Sequence, residues 1–120
     1  MHIILTEDNA KHLREKYIVL ELDLVRLEEN ADPVPAFCVV SFDDISVDDI
    51  PHIERYQTLH KKLIENYRNR NWDFCEQALE HLPGKWKGTV DTFYLEMMKR
   101  IAKYKNNDPG EDWDPAIQKF

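Results

Sequence analysis

Glycine is scarce. The 120-residue chain has three, and the stretches around them, "PGKWKG" and "PGED", hold no phosphate-cradling loop. Cysteine is scarcer still. Cys38 and Cys75 are too few for a disulfide framework, and each sits in an apolar pattern where a thiol acts as a small hydrophobe. Neither stands in CxxC spacing, and no HExxH is present. His2, His12, His52, His60 and His81 are scattered, so neither a metal site nor a cofactor is expected. No GxSxG elbow offers Ser41 or Ser46 as a nucleophile. No apolar run reaches membrane-spanning length, and "MHIIL" is too short for a secretory core, which makes the cytoplasm the expected compartment. Positive charge is short as well. Sixteen Lys and Arg against 23 Asp and Glu leave a net charge of −7, which repels phosphate backbones and argues against direct nucleic-acid binding.

What is present is the material of one domain. Apolar residues at 42% suffice for a single core, and 32% charged residues give a polar surface. The expected domain spans residues 1–120, with a β-hairpin part over 1–45 and a helical part over 46–120. "HIIL" reads as a short strand. Thr6 then reads as the N-cap of a helix over "EDNAKHLREKY", with Glu7 and Asp8 in its first turn. "YIVLELDLVRLEE" alternates, with Ile18, Leu20, Leu22 and Leu24 on one face, which predicts a half-buried strand. A polar, Pro-containing connection leads to a second strand, "AFCVVSF". The two form an antiparallel hairpin, with Pro33 and Pro35 placing the second strand's start at an edge. A hairpin alone is marginal, so "HIIL" or a second copy of the chain is expected to complete the sheet.

From Ser46 onward the periodicity is helical. Ser46 caps a turn or helix carrying Asp48 and Asp49. Tyr56, Leu59, Leu63, Ile64 and Tyr67 make one apolar stripe, and Trp72, Cys75, Ala78, Leu79 and Leu82 a second. The Asn69 to Asn71 break separates them, since Asn tolerates the left-handed conformation of a helix stop. Thr89 caps a third helix whose inward residues are Val90, Phe93, Tyr94, Met97, Ile101 and Tyr104. The tail after it is punctuated by Pro and Gly, with Trp113 as an anchor.

The stretch "NYRNRNWDFCEQALEHL" carries most of the information. Large aromatics flank its break, and small Cys75 and Ala78 let the second helix approach the first, as in an αα-hairpin. It resembles a single tetratricopeptide-type hairpin, with no Gly in the break. Over residues 60–119, the order Tyr67-Arg68, Trp72, Tyr94, Arg100, "PGEDWD" and Lys119 is similar to the helical extension that follows the catalytic domain of some bacterial class III adenylate and guanylate cyclases. Pro109, Asp112, Trp113 and Asp114 match, while Pro115 replaces a Gly. The resemblance implies a helical accessory module without cyclase activity. A fainter resemblance is to small proteins of T4-like tailed phages.

The expected architecture is therefore α+β, with a strand-helix-hairpin packed against three tetratricopeptide-like helices. The expected function is that of a non-enzymatic interaction or adaptor protein. Its partner is a protein, or a second copy through the hairpin edge, with neither nucleic acid nor membrane. Tyr67, Arg68 and Arg70 at the break, and Trp86 between Lys85 and Lys87, are the expected partner surface. A Trp86 folded back into the hairpin is the competing reading. Two rival functions stand beside this one. The first is a small enzyme assembled from distant His, Asp and Cys. The second is an acidic mimic that uses Asp43, Asp44, Asp48 and Asp49 to occupy a nucleic-acid-binding protein.

Overall fold

The alternating and the helical patterns occupy different parts of the chain, and the backbone follows them. The computed structural model describes residues 1–119 and shows an α+β protein. It forms two compact units, one of residues 1–42 with 114 onward and the other of residues 43–113.

The first unit is a four-stranded sheet in the order β1-β3-β2-β4, where β1 is His2–Leu5, β2 Ile18–Arg26, β3 Val34–Val40 and β4 Ile117–Gln118. The hairpin of β2 and β3 forms as expected, and β1 supplies the third strand by pairing antiparallel with β3. β3 is thus interior. Its two leading residues, Val34 and Pro35, run past the last β1 pair, Leu5 with Ala36, so Pro35 sits where a missing N–H is tolerated. The expected alternation of β2 holds only as far as Leu22. Glu21 faces Phe37 while Leu24 faces Pro35, so one extra residue bulges from β2. The bulge reverses parity: Ile18, Leu20 and Leu22 are buried, then Val25 takes the inward place and Leu24 is left half-buried.

The helix expected over residues 7–17 is cut short. α1 is Glu7–Lys11, followed by a 3-10 turn at Leu13–Glu15. Thr6 does not cap it. Its N–H donates to the Pro35 carbonyl at 2.9 Å, which continues the β1–β3 ladder and leaves Thr6 at φ 71 with no capping bond. Only Ala10 of α1 is buried, so little tertiary contact rewards a longer helix. β4 was not visible in the pattern: two residues pair parallel with Val25 and Arg26, and Asp114 receives a hydrogen bond from Arg26 at 2.8 Å.

The second unit holds three helices, α2 Ile53–Arg68, α3 Trp72–Leu79 and α4 Asp91–Asn106. A 3-10 turn at Val47–His52 precedes them, where Ser46 accepts through its backbone carbonyl from Asp49 N–H rather than capping by its side chain. The two predicted stripes form the buried faces of α2 and α3 except at Leu59, which is half-buried while His60 takes a buried place, and Cys75 and Ala78 are buried at their crossing. The Cys75 thiol lies 3.8 Å from the Leu63 carbonyl, a separation that a larger residue could not keep. α4 begins two residues after Thr89, with no side-chain cap.

The break between α2 and α3 is a Schellman stop. Asn71 N–H reaches back to the Asn66 carbonyl at 2.9 Å and Arg70 N–H to Tyr67 at 3.1 Å. The left-handed residue is Arg70, at φ 61, and not an asparagine. Its guanidinium is held by Asp108 at 2.9 Å, which ties this strained residue to the tail. The tail closes the same corner: the Trp113 ring centroid lies 5.2 Å from Tyr67, 5.4 Å from Trp72 and 5.2 Å from Tyr104.

Candidate functional site

A second stripe runs from the residue before α2 into the helix, beside the buried one. His52, Arg55, Leu59 and Lys62 recur at helical spacing, and none of them is buried. Across from them the turn after α3 brings up His81 and Lys85. Together with Pro51, Glu54, Tyr56 and Thr58 these residues enclose a groove of about 940 Å³, entirely within the second unit.

Trp86 sets the shape of that turn. It is 1% exposed, and its indole N–H donates to the Tyr94 hydroxyl at 2.9 Å. The same hydroxyl lies 2.9 Å from the Nδ1 of buried His60, and the Trp86 ring meets Tyr56 edge-on at 6.4 Å. Gly84 at φ 86, Lys87 at φ 52 and Gly88 at φ 78 let the chain fold around the indole, and Gly84 N–H donates to the Asp91 carboxylate at 2.8 Å. With Trp86 pinned, its neighbour Lys85 stands with its Nζ 5.2 Å from the Tyr56 ring centroid. Arg55 approaches the same ring at 5.3 Å and His52 at 6.0 Å.

The electrostatics of the groove are unusual for an acidic chain. Among the described residues, Arg55, Lys62 and Lys85 have no carboxylate at ion-pair distance, although Glu54 shares the groove. Several cations elsewhere in the unit are paired, though Lys61, Lys99 and Lys103 have no carboxylate at ion-pair distance among the described residues. Arg70 meets Asp108, Arg100 meets Glu96, and Lys105 meets both Asp73 and Glu76, which push its ammonium well above the usual lysine range.

The expected partner surface is rearranged by this geometry. Trp86 is not presented on a turn; it is a core residue, and the folded-back reading is the one the structure shows. Tyr67 is buried in the aromatic corner, Arg68 is half-buried and engaged, and Arg70 is committed to Asp108. Lys87 is exposed and its Nζ donates to the Asp43 carbonyl at 3.1 Å, which leaves Lys85 alone of the six in the groove. The groove's other cations, Arg55 and Lys62, were missed. The signal was the 52, 55, 59, 62 spacing beside the apolar stripe.

Both thiols and His60 are buried, while His52, His81 and Glu54 line the groove. Burial pushes the Cys38 thiol up to about 11 and the Cys75 thiol up to about 12, where neither is a nucleophile at neutral pH. His60 is 1% exposed. Among the described residues no group of three or more His, Cys, Asp and Glu could hold a metal ion, and no helix is long and apolar enough to cross a membrane. Compared with known proteins, the chain matches no family model, no curated protein and no solved structure.

Proposed function

We propose that this chain is a protein-interaction module rather than an enzyme, and that its partner docks in the groove along α2. One observation carries the reading: three cations converge on an open concavity, and among the described residues no carboxylate lies at ion-pair distance from them. Exposed charges without a counter-charge contribute little to folding, and they give an interface its orientation and encounter rate. Most of the aromatic rings and small residues of the helical unit fill its core. The likeness to a cyclase accessory extension points in the same direction.

The test is affinity capture from the native cell with the wild-type chain and with Lys62→Glu/Lys85→Glu. The reading expects one or more proteins held by the wild type to be lost from the variant, whose circular dichroism and Tm match the wild type. Equal capture by both chains contradicts it.

A second copy is the alternative partner. β1 pairs only with β3, and Ile3 on it is 54% exposed, so edge pairing would run along β1 and not along β3. Light scattering of the wild type and Ile3→Lys distinguishes this case.

A further inference from the structure

The groove is a local reversal of charge on a molecule of net charge −7. An acidic ligand is repelled by most of the surface and attracted here, which fixes where it lands. Arg55 and Lys85 are also positioned, each within about 5.3 Å of the buried Tyr56 ring, so little side-chain freedom remains to be lost when a carboxylate arrives. We infer that the groove takes an acidic peptide segment of a protein partner, with spaced Asp or Glu carboxylates on Arg55, Lys62 and Lys85 and an apolar side chain on Leu59. This names the chemistry of the partner and rests on the docking function proposed above.

A peptide fits better than a nucleotide or a nucleic acid. Tyr56 is 7% exposed and edge-packed by Trp86, so its face is closed to a stacking base. Glu54 in the lining opposes a dense phosphate cluster but leaves room for separated carboxylates. The groove has no glycine loop to wrap a phosphate.

The experiment is fluorescence anisotropy with a labelled peptide of alternating Glu and Leu, titrated with the full chain. Binding is expected at low salt and should weaken roughly tenfold between 50 and 300 mM NaCl, because exposed charges are screened. Lys62→Glu/Lys85→Glu and, separately, Arg55→Glu should each weaken it by about tenfold or more while keeping the wild-type Tm. Equal binding of the same peptide with Lys for Glu overturns the inference. So does tighter binding of ATP or a single-stranded oligonucleotide with the same sensitivity to the variants. Self-association that Lys62→Glu/Lys85→Glu abolishes overturns it too, since a second copy would then fill the groove. If the peptide does not bind but the variant still sheds a captured partner, the acidic chemistry is wrong and the docking surface stands. If the variant keeps that partner as well, both fall.

Discussion

The two ends of α2 make a controlled comparison. Each sets cations against aromatic rings, and only one end supplies a counter-charge. At the C-terminal end Arg70 is bound by Asp108, whose other oxygen accepts from the Trp72 indole at 3.2 Å, and the rings of Tyr67, Trp72, Tyr104 and Trp113 close over the corner. At the N-terminal end Arg55 and Lys85 approach Tyr56, and among the described residues no carboxylate lies at ion-pair distance from either. Equal side-chain chemistry is thus structural where it is neutralised and available where it is not. The difference separates a clasp from the proposed docking surface on a single helix of 16 residues.

The largest expected effect is on the element that builds the groove. Trp86→Ala should cost about 3–5 kcal/mol in urea denaturation, the range for deleting a buried large aromatic. Lys85 would lose its place with it, so acidic-peptide binding should fall in parallel. Next is Tyr94→Phe, which strips the Trp86 indole N–H of its buried acceptor and should cost about 2 kcal/mol with no change in secondary structure.

Acid should open the C-terminal end first. The Asp108 carboxyl is held below its ordinary value by the Gly110 N–H, by Arg70 and by the Trp72 indole. A carboxyl with a folded pKa below its unfolded one stabilises the fold fully above the ordinary value, and that stabilisation is lost as pH falls through the lowered one. Wild type should therefore lose stability below about pH 4, and Asp108→Asn should show a shallower acid limb while being less stable near neutrality. Peptide binding in the groove at neutral pH should be unaffected by Asp108→Asn.

The smallest effects belong to the groove's own charges. Lys85→Ala and Lys62→Ala should each stay within about 0.5 kcal/mol of wild type. If Lys62→Ala were as costly as Trp86→Ala, the contrast between the two ends would collapse.

Much of this fold was legible because period tracks burial. The stripes through Tyr56, Leu63 and Tyr67, through Trp72, Cys75 and Ala78, and through Phe93, Met97 and Ile101 are buried as read, while Leu59 and Tyr104 within them are half-buried. What the pattern hid was non-local. The β2 bulge depends on Pro35 across the hairpin, and β4 on a strand far away in sequence. Thr6 looked like a cap, yet the ladder claimed its N–H. An asparagine seemed the natural left-handed residue, but Asp108 secures Arg70 there instead. Trp86 between two lysines admits both a partner-surface and a folded-back reading, because local polarity does not reveal the Tyr94 hydroxyl on α4 that holds it. The groove was illegible for a related reason: its cations come from α2 and from the turn after α3, and their lack of counter-charges is a property of the folded chain.

The most direct test of the two-ended account is a ¹⁵N-edited NMR titration of the wild-type chain with the Glu/Leu peptide. Amide shifts confined to residues 51–62 and 81–86 are expected. Shifts centred on residues 66–72 and 108–113, with the groove silent, would contradict it.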